Sequence, residues 1–139
     1  MKKTILATLF FSLIFVWGQA QEARATYHDN GNKKSQGNVQ KGKKVGEWTF
    51  YYDNAQVMRQ GVYKNDKPLG EWKEYYRNGT IKSEMTFVEA GGESKKHGDY
   101  KTYHKNGSVH FDGAYKYGKK VGKWIEYNKL GIILKEYKY

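Results

Sequence analysis

His104, His110 and Asp112 flank one Asn106-Gly107 turn and come nearest in this sequence to a metal-binding or acid–base set. On a strand, His110 and Asp112 share a face because they are two residues apart; whether His104 joins them depends on cross-strand register. No periodic copy of the trio occurs, and an isolated His in a polar hairpin ordinarily serves solvation. The chain has no Cys, no Ser-His-Asp order, no phosphate-cradling loop and no HExxH. No catalytic residue, metal ligand or cofactor is therefore assigned. Glu71 and Glu74, with Glu126 as their later counterpart, read as partners in strand ion pairs.

The residue types that do recur are cationic and aromatic. Lys41, Lys43 and Lys44, Lys64 and Lys67, Lys95 and Lys96, and Lys116, Lys119 and Lys120 all fall in one recurrent turn. In register they line one edge, a ladder that attracts phosphate or carboxylate surfaces. The alternative reading is that these lysines solubilise the loops and blunt unwanted strand pairing. Trp48, Trp72, Tyr100 and Trp124 form one aromatic column and read as core. Tyr51, Tyr75, Tyr103 and Tyr127 form a second column of opposite parity, so the two lie on opposite faces of a strand. The tyrosine column reads either as a recognition surface or as a self-packed ladder.

These columns need elements that repeat. Gly46, Gly70, Gly98 and Gly122 precede the aromatic strands at steps of 24, 28 and 24 residues. The four extra residues of the long step lie within 88–97 and predict a bulged, mobile loop around Gly91-Gly92. Each period reads as a β-hairpin: a strand rich in aromatics, turn chemistry such as Arg77-Asn78-Gly79, then an alternating return strand such as IKSEMTF at 81–87. No 3.6-residue period is present outside the first residues. One hairpin cannot bury its apolar face alone, so the fold class is all-β: a single-layer antiparallel meander of stacked hairpins, about ten strands long. Gly37, Gly61 and Gly113 recur on return strands, where a bare Cα lets a neighbouring ring lie against the backbone. Met85 breaks that column.

The pattern resembles the MORN repeat family. Gly61-Val62-Tyr63 through Gly70-Glu71-Trp72 and Tyr75 carries the motif, with Asp66 in place of a glycine before Lys67. Gly113-Ala114-Tyr115, Gly118-Lys119, Gly122-Lys123-Trp124 and Tyr127 match it in full. The sequence looks closest to the bacterial variant found in YwqK-type antitoxin components. The resemblance implies a hairpin array with a binding role, and eukaryotic relatives of the repeat have been linked to acidic phospholipids.

Residues 1–20 read as a signal peptide: Lys2 and Lys3, an apolar run over 5–16, and Trp17-Gly18-Gln19-Ala20 before a cut after Ala20, with Ala23 and Ala25 as the alternative. The apolar run falls short of the ~20 residues that span a bilayer. Residues 21–26 are expected to be a flexible mature N-terminus and 27–139 the array. The expected location is the periplasm or cell envelope, or the secreted fraction. With a net charge of +11, the expected partner is a protein or an anionic envelope surface (lipid headgroups or acidic polysaccharide). Export argues against nucleic acid and against a cytoplasmic antitoxin role. The open edge at 132–139 is expected to be capped by its lysines or to pair with another copy or an extended partner strand.

Overall fold

The computed structural model describes residues 20–139; the proposed signal peptide, apart from Ala20, lies outside them. Ten strands run in chain order: β1 (Glu22–Tyr27), β2 (Lys33–Gln40), β3 (Lys43–Tyr51), β4 (Val57–Lys64), β5 (Lys67–Tyr75), β6 (Ile81–Ala90), β7 (Glu93–Tyr103), β8 (Val109–Lys116), β9 (Lys119–Tyr127) and β10 (Ile133–Lys138). They form one open sheet in serial order β1 to β10, with each neighbouring pair antiparallel. No helix occurs among the described residues. The predicted hairpin meander is therefore the observed fold.

Two kinds of turn alternate. Lys41-Gly42, Asn65-Asp66, Gly91-Gly92 and Tyr117-Gly118 are two-residue turns with positive φ at both positions. That backbone matches the twist of the flanking strands. The other turns are longer and identical in bonding. The amide of Tyr52 donates to Gln56 O (2.8 Å) and that of Ala55 to Tyr52 O (3.0 Å), as do their counterparts around Gly31, Gly79, Gly107 and Gly131.

Each aromatic strand carries a bulge. Gly37 faces Trp48, yet the next pair is Asn38 with Val45, so Gly46 and Glu47 have no partner on β2 and pair instead with Tyr63 and Val62 of β4. Gly46 takes φ +66°, which a side chain would strain. The same skip recurs where Gly61 faces Trp72 and Val62 faces Leu69.

The core is a line rather than a volume. Trp48, Trp72 and Trp124 are 3%, 4% and 2% exposed, and Val39, Ser35 and Ser83 are also buried. A Cβ built on Gly37, Gly61 or Gly113 would stand 2.2–2.3 Å from the following tryptophan ring, so the predicted ring-on-glycine packing is present three times. Tyr100, opposite Met85, departs from the predicted core column: it has no bare Cα to lie on there and remains half-buried.

Two further expectations give way. Residues 21–26, expected as a flexible lead, instead enter strand β1 from Glu22 onward, paired from Glu22–Val39 to Tyr27–Lys33 and tied by Thr26 Oγ1 to Ser35 Oγ at 2.7 Å. The array thus begins at Glu22, because the backbone of β2 offers an edge that needs no apolar side chain to be filled. The segment around Gly91-Gly92 is not a bulged loop. Its four extra residues lengthen the hairpin by two on each side, with Val88, Glu89 and Ala90 paired to Lys95, Ser94 and Glu93. An insertion split evenly across a two-residue turn preserves the parity of both strands, and Gly-Gly suits that turn.

Candidate functional site

With a single layer, both faces of the sheet are candidate surfaces. On the tryptophan face the rings form a nearly continuous row. Tyr63 stands edge-on to Trp72 (4.9 Å, 80°), Trp72 to Phe87 (6.4 Å, 86°), and Tyr115 to Trp124 (5.1 Å, 88°). Each indole N–H donates to a carbonyl of the preceding strand: Trp48 to Asn38 (2.9 Å), Trp72 to Val62 (3.2 Å) and Trp124 to Ala114 (3.2 Å). This fixes the ring plane as well as its depth.

Cations cap this row. Lys44 Nζ lies 5.4 Å from the Trp48 ring and 5.5 Å from Tyr63; Lys96 lies 4.6 Å from Tyr100 and 5.2 Å from Tyr115; Lys120 lies 4.4 Å from Trp124 and 5.0 Å from Tyr139. Such contacts hold a cation near a ring while leaving its outer side open to an anion. Pro68 occupies the fourth place in this column, and there the Arg59 guanidinium lies 4.4 Å from Phe50 and 5.9 Å from Trp72. Tyr63, Phe87, Tyr115 and Tyr139 recur at the 24- and 28-residue steps of the repeat, with Val39 one period earlier. Phe50 and Arg59 were missed in the sequence, because their counterparts one period on, Glu74 and Ser83, are neither aromatic nor cationic.

The predicted lysine edge is present at the two-residue turns, but strand parity divides it. Lys44, Lys96 and Lys120 cover the rings, while their neighbours Lys43, Lys95 and Lys119 point to the other face. Several of the edge cations are spent within the array. Lys44 reaches Asp66 (3.7 Å), Lys64 reaches Glu89 (3.0 Å), Lys95 reaches Glu93 (3.6 Å) and Lys67 donates to Gly92 O.

The opposite face is polar. One straight row crosses the sheet through Thr49, Gln60, Lys73, Glu84, Lys101 and Asp112. Lys73 pairs with Glu84 (3.2 Å) and Lys101 with Asp112 (3.6 Å). Three adjoining hollows of about 430, 290 and 400 Å³ follow this row from β1 to β7, joined through Glu47 and Thr49 and then through Glu71 and Lys73. The tyrosine column lies at its border, half-buried throughout. Tyr103 donates to Glu84 Oε2 at 2.6 Å, and Tyr75 accepts from Gln60 Nε2 at 3.4 Å. Burial and the bond to Glu84 push the Tyr103 phenol up to about 12. The same bond, with Lys73, holds the Glu84 carboxyl below its ordinary value against the effect of burial.

The backbone carbonyls of the tyrosine column have a separate role. His28 Nε2 contacts Tyr51 O (3.0 Å), Tyr52 donates to Tyr75 O (2.8 Å), Tyr76 to Tyr103 O (2.7 Å), and His104 Nε2 contacts Tyr127 O (2.9 Å). Asn30, Asn54 and Asn106 likewise donate from one long turn to the carbonyl of the next, at Asp53 (2.7 Å), Arg77 (3.1 Å) and Lys129 (2.9 Å). This edge is a hydrogen-bonded staircase. His104 is one of its steps, which accounts for its place in the sequence.

His104 and His110 do meet, with ring centroids 4.3 Å apart, and Glu126 lies 3.9 Å from His110. Asp112 turns to Lys101 instead. Glu74 is 3.9 Å from Lys82 and accepts from Ser83, while Glu71 has no ion pair among the described residues. No group of three or more acidic, His or Cys side chains placed to hold a metal occurs among the described residues.

No curated protein matches this chain. The family model described as the MORN repeat variant matches three times, over residues 44–65, 68–89 and 96–117. The matches start at Lys44, Pro68 and Lys96 and end at Asn65, Glu89 and Tyr117, at or just before the next two-residue turn, so the matched unit is the stacked hairpin. By its repeat, its bulged aromatic strands and these three matches, the chain belongs to the MORN repeat variant family.

Proposed function

We propose that this chain is an exported binding scaffold of the cell envelope, which binds rather than catalyses, and that its lysine-capped aromatic face docks on an anionic surface. The observation that carries the proposal is the row of Lys44, Lys96 and Lys120 above the rings. Lys96 and Lys120 have no carboxylate within ion-pair distance among the described residues, so their charge is available to a partner. A flat face also suits a surface better than a small molecule. The basic and apolar pattern of residues 1–20 supports export.

Sedimentation with phosphatidylglycerol or phosphatidylcholine vesicles, alongside pull-down on an acidic polysaccharide, tests this reading. Binding to an anionic matrix should weaken steeply as salt shortens the ~10 Å screening length found at 0.1 M. It should disappear in a Lys44→Gln, Lys96→Gln, Lys120→Gln variant. Equal binding to neutral vesicles, or an unaffected triple variant, refutes it. The trough beside the tyrosine column favours a second reading, an antitoxin-like or immunity-like protein that binds one specific protein. That reading requires salt-insensitive capture of a single partner, lost on Tyr75→Ala with Tyr127→Ala.

A further inference from the structure

Among the described residues, β1 and β10 each leave one edge unpaired. The array has a directional rule across its two-residue turns: the earlier strand supplies Gly37, Gly61 or Gly113, and the next strand lays Trp48, Trp72 or Trp124 on it. At the two ends both members are exchanged. β1 has Arg24 where a tryptophan belongs, and β10 has Tyr137 where a glycine belongs, opposite Trp124 in the β9–β10 register. Arg24 is exposed and has no ion pair or ring contact among the described residues. A tryptophan cannot lie on Tyr137, since the packing needs a bare Cα. A guanidinium can, as Arg59 does on Phe50 at 4.4 Å, if it displaces Lys135, whose Nζ lies 4.9 Å from the Tyr137 ring in the single chain.

We propose that β10 of one copy pairs antiparallel with β1 of a second copy, continuing the sheet across chains, with Arg24 of the second copy over Tyr137. The internal register, in which Gly37 faces Trp48 and Ser35 faces Phe50, then sets Tyr137 against Arg24 and Lys135 against Thr26. One residue further, Leu134 meets Tyr27. These two side chains are each 61% exposed in the single chain and would cover each other. Pairing β10 with another β10, Tyr137 against Tyr137, lacks this complement, because it leaves Arg24 and Tyr27 without a partner strand. Because the two edges differ, the contact is heterologous and does not close at two copies.

The chain has no cysteine, so disulfide trapping reads the contact directly. Directly opposed residues of an antiparallel pair have Cα atoms about 4.5–5.5 Å apart, within disulfide reach. Arg24→Cys and Tyr137→Cys proteins mixed under mild oxidation should give a mixed dimer in excess over either homodimer. The double variant should give a ladder of multiples, whereas an Asn54→Cys control should not. Both sites are on edges, and circular dichroism checks that the variants fold. In sedimentation equilibrium the mean mass of the parent should rise with concentration. Leu134→Asp should abolish that rise, and Arg24→Ala should weaken association about threefold, as loss of one exposed cation–π contact does. A parent that stays monomeric to about 1 mM, the scale of the weakest useful contacts, overturns the proposal. So do Tyr137–Tyr137 links in place of mixed ones.

Discussion

Replacing Gly61 with alanine adds one methyl group where the fold has no room for it. The new Cβ would lie 2.3 Å from Trp72 Cδ2 and 2.4 Å from Cε2. Carbon atoms prefer about 3.5–4.0 Å, so the indole must retreat by roughly 1 Å or more. Trp72 is 4% exposed and its N–H is held at 3.2 Å by Val62 O, so the retreat both opens the core line and breaks that bond. Overpacking costs about 1–3 kcal/mol. The lost hydrogen bond adds about 1 kcal/mol. Alanine's smaller unfolded-state entropy returns about 0.4–1 kcal/mol. The net expectation is a destabilisation of about 1–3.5 kcal/mol. At roughly 2 cal/mol/K of unfolding entropy per residue, an array of this length loses about 4 °C per kcal/mol, or about 4–14 °C in all. Thermal unfolding followed by tryptophan fluorescence and by circular dichroism measures it. The Trp72→Leu background supplies the control, since the added methyl should there cost almost nothing. A Gly61→Ala protein that melts within a degree or two of the parent refutes the ring-on-glycine account. An equal loss in the Trp72→Leu background refutes it as well.

Two pH effects follow from the geometry. Burial, with His104 beside it just past the end of β7, depresses the His110 imidazole below its ordinary 6.5, and Glu126 on β9 opposes this only partly. The unfolded chain therefore takes up that proton more readily, so the stability present above 6.5 is lost as the pH falls through the folded value. The melting temperature should drop as buffers are taken below 6.5, and His110→Phe should remove that part of the slope; an unchanged slope refutes the assignment. For Glu84, with a folded value held below 4.5, the stability is present above 4.5 and is lost only at more acid pH. Tyr103→Phe removes the bond to that carboxylate and should cost about 1–1.5 kcal/mol, toward the lower end for a bond to a charged group. Its absorbance titration should also lose the phenol that ionises near pH 12; a variant as stable as the parent, with the same titration, contradicts the pairing.

The sequence alone determined the repeat, the hairpins and the place of the tryptophans. Turn chemistry, strand alternation and a glycine opposite Trp48, Trp72 and Trp124 act over neighbouring residues, and a recurring period copies them along the chain. It did not determine which side chains meet across the sheet. That depends on register, which the bulges at Gly46 and Gly70 reset inside each hairpin, and no local preference of Lys43 over Lys44 foretells it. Only the assembled sheet places Lys44, Lys96 and Lys120 over the rings and gives His104 a carbonyl 23 residues away. It also joins the Tyr103 hydroxyl to Glu84. The extension of the hairpin at Gly91-Gly92 and the pairing of β1 have the same origin. A backbone edge captures any chain that can run beside it, and tertiary neighbours supply what the segment's own composition does not.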